Sequence, residues 1–246
     1  MKEMIERNWD VMASDYENFS EALDSFSNAI EWPCIRVLLP PLEGRSIIDI
    51  GCGTGRFSFY FDAYQPRHIL GIDLSGAMID LANGKNDSER IAFKKADIIE
   101  LTDHISTKFD FAFSSTTAHY FSDLYESFKT VHDILVTEGV FILSVIHPIY
   151  SAMYPLCPDD SDQLRYLDRS ERRYIQPWTR ANDKMDVSLS YHHTFSDYIN
   201  ALTRAGFEIM QVEEPRPPES WQVSNQKRYD ALIKEPLYMI IRCRKW

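Results

Sequence analysis

The sequence predicts an α/β protein whose sheet is mostly parallel and covered by helices. Three observations carry this. Short apolar runs alternate with helical periodicity from Ser46 to Val145. The runs are apolar at consecutive positions, as strands buried on both faces must be. The first run passes straight into a glycine-rich turn that opens a helix, Ile47-Ile48-Asp49-Ile50-Gly51-Cys52-Gly53-Thr54-Gly55-Arg56-Phe57.

The elements follow in order. The first 45 residues read as helical, with Trp9, Met12, Tyr16 and Phe19 at steps of three and four. Pro40-Pro41 ends that region, and Leu42-Glu43-Gly44 turns the chain. Strands are expected at Ile47–Ile50, Ile69–Ile72, Ile91–Phe93, Phe109–Phe113 and Val140–Val145. Segments such as Ala77-Met78-Leu81-Ala82 and Leu124-Phe128-Val131-Leu135 supply the helices between them. Residues 148–190 break this rhythm with prolines, charges and scattered aromatics (Tyr150, Tyr154, Tyr166, Tyr174, Trp178), and read as a functional insertion after the fifth strand. Within it, Arg165, Arg169, Arg172 and Arg173 alternate with Asp160, Asp162, Asp168 and Glu171, a pattern expected of a solvated helix face. Thr194–Ala205 is a helix with Thr194 as N-cap and Gly206 as its stop. Closing strands follow at Glu208–Val212 and Leu237–Arg242.

Composition bounds the function. A chain of 246 residues is one large domain or a domain with an insertion, against about 150 residues per domain. A net charge of −11 argues against a nucleic-acid partner. No stretch reaches the ~18 apolar residues that span a bilayer, and Glu3 and Glu6 interrupt any signal sequence, so a cytoplasmic protein without a membrane partner is expected. The cysteines (Cys34, Cys52, Cys157, Cys243) have no metal-ligand spacing, and no metal site is expected. Cys52 reads as a small filler residue in the turn.

The glycine turn discriminates between nucleotides. Glycine permits a tight turn and close approach of backbone to ligand. A dinucleotide fingerprint requires glycine at the sixth place, where this chain has Arg56, which disfavours a nicotinamide oxidoreductase. Glycines at the first, third and fifth places, preceded by Asp49, resemble instead the first motif of the Rossmann-like (class I) S-adenosylmethionine-dependent methyltransferases. Asp73 lies at the end of the second strand, where a carboxylate can accept both ribose hydroxyls. Asp97, after the third strand, matches the family position that receives the adenine amino group.

The resemblance runs from about Trp9 to Arg242. Trp9-Asp10 with Asp15-Tyr16 looks like the first helix of small-molecule methyltransferases, and Phe109–Ser114 like the family's fourth strand, with Ser115–Tyr120 as its active-site loop. Leu135–Val140 is similar to the turn into the fifth strand, with Glu138 where proline or glycine is more usual. Tyr191–Gly206 resembles the substrate-side helix of the ubiquinone/menaquinone methyltransferase-like branch. The resemblance implies a doubly wound, mostly parallel seven-stranded sheet with helices on both faces and an antiparallel last strand. It further implies a single domain over residues 1–246, in which 1–41 form a helical lid and 148–190 a substrate-side insertion. The implied cofactor is S-adenosyl-L-methionine, and the partner a small-molecule methyl acceptor. Asp49 would face the cofactor's ammonium, and the implied binding set is completed by Tyr16, Gly51, Cys52, Gly53, Gly55, Leu74, Met78, Ile98 and Ser114 beside Asp73 and Asp97.

Methyl transfer from a sulfonium is an in-line displacement with a good leaving group, so alignment and water exclusion matter more than acid–base groups. His119, just past the fourth strand, is the candidate general base; the alternative is a polar residue packing a helix. His147, His192 and His193 are weaker candidates, and the adjacent pair diverges in an extended chain. A non-catalytic cofactor-binding protein on the same fold is the remaining alternative, and it would lack an open substrate pocket.

Overall fold

Strand β1 (Ser46–Ile50) is buried along its whole length and lies in the interior of a seven-stranded sheet. It pairs in parallel with β2 (His68–Asp73) on one side and β4 (Phe109–Ser115) on the other. Beyond them run β3 (Ile91–Lys95) and β5 (Leu135–Ile146), also parallel. The chain therefore winds outward from β1 in both directions, and the crevice between β1 and β4 is the switch point at which open α/β sheets bind ligands. The order closes with β9 (Tyr238–Lys245) antiparallel between β5 and β8 (Phe207–Glu213). The structure, a computed structural model, describes residues 1–20, 25–103, 107–153, 165–175 and 187–246.

Alternation along the strands divides the apolar side chains between two cores. Ile48, Ala112, Phe141 and Leu143 face one layer, with α5 (Leu124–Ile134) and α7 (Phe195–Arg204) contributing Phe128, Val131 and Leu202. Ile47, Phe111, Phe113 and Ile142 face the other, covered by α2 (Trp32–Leu38) and α3 (Arg56–Asp62) through Ile35, Phe57 and Phe61. Phe57 and Phe61 are both core residues of this layer. Phe59 is half-buried against Phe93.

Helix ends follow local chemistry. Thr194 caps α7 in a reciprocal box with Asp197, and Gly206 ends the helix with φ 101°. Ser75 caps α4 (Gly76–Lys85) by accepting from the Met78 amide.

Two regions depart from the sequence reading. The N-terminal region is divided into α1 (Lys2–Ser20), a π-helical turn Ser27–Glu31 and α2. After α6 (Pro148–Met153), the insertion contains β6 (Glu171–Ile175) and β7 (Val187–Tyr191), paired antiparallel. The charged run there is not a solvated helix face. Arg172 is 1% exposed on β6 and donates to Ser170 Oγ and to the carbonyls of Arg165 and Asp168, while Arg169 grips Asp197 of α7 with two hydrogen bonds. Hydrogen bonds from its Nη atoms to backbone and a hydroxyl hold this guanidinium in a buried place, whereas a helix face would leave it in water. Tyr154, Trp178 and most of the expected substrate-side segment lie outside the described residues.

Candidate active site

The glycine turn leaves β1 with Gly51, Gly53 and Gly55 at φ 71°, 54° and 86°, all in the left-handed region that glycine enters without a Cβ penalty. The amides of Gly51 and Cys52 donate to the Ile72 carbonyl, fastening the turn to the end of β2. A Cβ on Gly51 would stand 2.1 Å from Thr117 Oγ1, whereas one on Gly53 would meet only the Tyr16 ring, at 3.7 Å. Gly51 is thus a packing requirement, and Gly53 keeps open a space between the turn and α1.

Asp73 ends β2 with its carboxylate on this space. Oδ2 accepts from the Gly53 amide at 2.9 Å and Oδ1 from the Ser75 amide at 2.8 Å. Burial raises its pKa, and these backbone donors work against the rise. Asp97, beyond β3, accepts from the Ile99 amide and forms an ion pair with Lys2 of α1 at 2.6 Å.

Helix α1 lies across the strand ends and is fastened at several points. Asp10 accepts from Ser75 Oγ and the Ala77 amide. Glu6 pairs with Lys95, and Glu17 with Lys85. Trp9 projects from the helix with its ring edge-on to Tyr16 and to Tyr120, at 5.5 and 5.8 Å between centroids.

Beneath α1 is a cleft of about 1310 Å³, part of it open to solvent, which gathers Tyr16, Gly51, Cys52, Gly53, Asp73, Leu74, Met78, Asp97 and Ile98. Nine of the expected binding residues therefore converge. Asp49, Gly55 and Ser114 do not line it. Asp49 is 1% exposed and accepts from Ser58 Oγ at 2.7 Å, so it does not face the cleft; burial pushes its pKa to about 7. Gly55 packs on the Phe93 ring, 2.6 Å from where a Cβ would stand. Ser114 donates to the Ile50 carbonyl inside the sheet, and its neighbour Ser115 lines the cleft instead, because successive strand residues face opposite ways.

A second chamber of about 960 Å³ adjoins the cleft and shares Trp9, Tyr16, Arg56, Thr116 and Tyr120 with it. Phe19, Phe26, Ile146, Tyr150, Leu237 and Tyr238 make it largely apolar, with Glu31 and His119 as further polar members. Thr116 sits at φ 48°, a strained conformation for a β-branched residue, and its amide donates to the Ser144 carbonyl. His119 lines this chamber but is 6% exposed, its ring 4.2 Å from that of Tyr120. Burial, with His193 nearby, lowers its pKa to about 3, which leaves the imidazole neutral and a poor proton acceptor. This weighs against the expected role of His119 as general base, although the residue does line the chamber. His147 bonds Glu214, His192 bonds Ser151 and the Tyr166 carbonyl, and His193 bonds the Phe121 carbonyl. Cys52 is buried, which raises its thiol pKa well above the usual value.

Sequence reasoning missed Arg56 and Glu31 as wall residues. Arg56 was visible only as a missing sixth glycine. Its Nη atoms donate to the Ser20 carbonyl and to Ser27 Oγ, and its buried Nε has no hydrogen-bond partner among the described residues. The cleft thus offers carboxylates at two strand ends, apolar walls at Leu74, Met78 and Ile98, an open glycine turn and a guanidinium. The carboxylates suit the ribose and the adenine edge of S-adenosylmethionine, the apolar walls its flat base, the open turn a close approach of the ligand, and the guanidinium the amino-acid carboxylate.

Comparison with known proteins agrees with this geometry. The family described as "Methyltransferase domain" matches residues 42–205. The crystal structure of an S-adenosylmethionine-dependent methyltransferase from Mesorhizobium loti is 31% identical, with a TM-score of 0.73 over 87% of this chain and 97% of that one. A putative enzyme of the same description from Listeria monocytogenes is 25% identical, with a TM-score of 0.72 over 88% of this chain and 96% of that one. Juvenile hormone acid O-methyltransferase of Bombyx mori is 26% identical over 78% of this chain, which spans 64% of that protein's length. On the family match and the Mesorhizobium likeness, the chain belongs to the S-adenosylmethionine-dependent methyltransferases.

Proposed function

We propose that this enzyme methylates a small molecule seated in the aromatic chamber under α1, at an oxygen atom. The observation that carries the reading is the common wall of the two cavities, formed by Trp9, Tyr16, Arg56, Thr116 and Tyr120. A cofactor-sensing protein without catalysis needs the cleft but not the chamber. The silkworm relative, named as an O-methyltransferase, supports oxygen as the accepting atom.

S-adenosylmethionine supplies an electrophilic methyl group on a sulfonium, a leaving group that needs no protonation. The protein's part is placement. Asp73 and Asp97 hold the nucleoside by its ribose and base edge, and Arg56 holds the amino-acid carboxylate from the seam between the cavities. Asp49 lies below the turn with Ser58 and sets the loop rather than touching the ligand. Trp9, Tyr16 and Tyr120 close the seam with aromatic surface, excluding water and fixing the acceptor's approach. Residues 1–41 serve as the lid, with α1 as its fastened part, and 148–190 belong to the substrate side.

The test is transfer of isotopically labelled methyl groups from S-adenosylmethionine in cell extract, with products separated into small-molecule, protein and nucleic-acid fractions. Label in the small-molecule fraction is expected. Incorporation confined to protein or nucleic acid would overturn the proposal.

A further inference from the structure

The acceptor chamber borders a buried carboxylate that does not line the cofactor cleft. Glu31 ends the π-helical turn Ser27–Glu31, has 0% exposure, and lies on the chamber side rather than on the cofactor cleft. Turns of this kind concentrate at functional sites. One carboxylate oxygen of Glu31 accepts the Ser115 hydroxyl and the other the Ser27 hydroxyl. Ser115 ends β4 on the wall of the cofactor cleft, and Ser27 accepts in turn from Arg56. A hydrogen-bonded chain thus runs from the cleft through Ser115, Glu31 and Ser27 to Arg56. Among the described residues no cation is in ion-pair contact with Glu31, and a buried carboxylate held only by hydroxyls is costly to keep for packing alone.

We infer that Ser115 and Glu31 form the proton exit for a hydroxyl-bearing, largely apolar acceptor whose body fills the chamber and whose hydroxyl reaches past the shared Thr116 into the cofactor cleft, where Ser115 touches it and Glu31 acts through Ser115 as a positioning residue. This rests on the reading of the second chamber as the acceptor site. As the acceptor oxygen bonds to the methyl carbon, the carbon–sulfur bond breaks and its electron pair goes to sulfur. The acceptor's proton passes to Ser115 Oγ while the Ser115 proton passes to Glu31. The products are a methyl ether, a neutral thioether and a protonated Glu31, which returns its proton to water when the chamber opens. A carboxylate acceptor brings no proton to remove and would place a second negative charge near Glu31.

The titratable and charged groups around Glu31 are Tyr16 from α1, Cys34 from α2, Tyr238 from β9 and, through Ser27, Arg56 from α3. Burial pushes the two phenols up and the thiol to about 11, so all three keep their protons where a carboxylate titrates.

The probe is 4-nitrophenol, whose ionised form is coloured, added to protein saturated with S-adenosylhomocysteine. Bound probe should keep its proton to higher pH than free probe, by about one pH unit or more. Glu31→Gln should bring that titration back toward the free value when measured at saturating S-adenosylhomocysteine. Ser115→Ala should shift it in the same direction, and serves alone if Glu31→Gln does not fold. Single-turnover methylation of the probe should slow on the order of 100-fold in Glu31→Gln. The inference is overturned by preferential binding of the phenolate, by tighter binding of 4-nitrobenzoate, by an unaltered titration in the variants, or by no probe binding to protein that still takes S-adenosylhomocysteine. Failure of the wild type to bind S-adenosylhomocysteine would count instead against the underlying reading of the two cavities.

Discussion

The carboxylate of Asp73 accepts a hydrogen bond from the amide of Gly53, 2.9 Å away, so the acid at the end of β2 also braces the glycine turn at the end of β1. Removing it is expected to act on both ligand binding and the loop. Asp73→Ala should weaken S-adenosylhomocysteine binding by roughly 1.5–3 kcal/mol and lower stability by about 1–3 kcal/mol, since the Gly53 and Ser75 amides lose their acceptor. Calorimetric titration and denaturant unfolding check the two effects. Unchanged affinity in folded Asp73→Ala would remove Asp73 from the site.

Gly53 and Gly51 should respond differently to alanine. At Gly53 the added Cβ meets only the Tyr16 ring and enters the ligand space, so Gly53→Ala should fold with a modest strain penalty of ~1 kcal/mol and lose binding. At Gly51 the Cβ collides with Thr117, and the variant should lose stability as well as binding. Melting temperature beside ligand affinity separates them; retained binding by Gly53→Ala would mean that the turn does not approach the ligand.

Arg56 should recognise only the amino-acid end of the cofactor. Arg56→Ala is expected to cost about 1.5–3 kcal/mol of S-adenosylhomocysteine affinity. The same variant should bind methylthioadenosine, which lacks the amino-acid carboxylate, as the wild type does. Equal losses for the two ligands would show a general disturbance of the cleft.

Ion pairs of Lys2 with Asp97, Glu6 with Lys95 and Glu17 with Lys85 fasten α1 over the cleft. Their cations are 49%, 51% and 35% exposed, so each pair adds little stability and all are screened by salt. The release rate of S-adenosylhomocysteine, followed through Trp9 fluorescence, should rise with salt while the melting temperature scarcely moves. A salt-independent release rate would show that α1 does not gate exchange.

Two buried groups pull the pH dependence of stability in opposite directions. Asp49 holds its proton up to about pH 7 in the folded state, well above its ordinary value. Between about pH 4 and 7 the unfolded chain binds fewer protons, so this contribution falls as pH rises. His119 titrates near 3 when folded, so its contribution falls as pH drops from about 6.5. The wild-type curve mixes the two, and variants isolate them. Asn keeps an acceptor for Ser58 and carries no charge, so Asp49→Asn should be more stable than wild type above pH 7. The gain should be about 1.4 kcal/mol for each pH unit that separates the folded from the unfolded titration of Asp49. The advantage should vanish near pH 4; a constant difference across that range would assign the proton to another group.

The sequence by itself determined the strand-and-helix rhythm, the glycine turn, the positions of Asp73 and Asp97 and the cap at Thr194. Each is written in adjacent residues: a strand's apolar run, a left-handed turn that only glycine enters freely, a hydroxyl three residues before the amide it accepts. The tertiary structure decided which side chains face the cleft. Asp49 sits beside the turn in sequence but is directed down to Ser58, and the alternation of β4 put Ser115 rather than Ser114 on the cleft wall. Glu31 and Ser115 are 84 residues apart and meet only because the Ser27–Glu31 turn and β4 converge at the switch point of the sheet. No local pattern encodes such a meeting, since burial and contact depend on how separate elements pack.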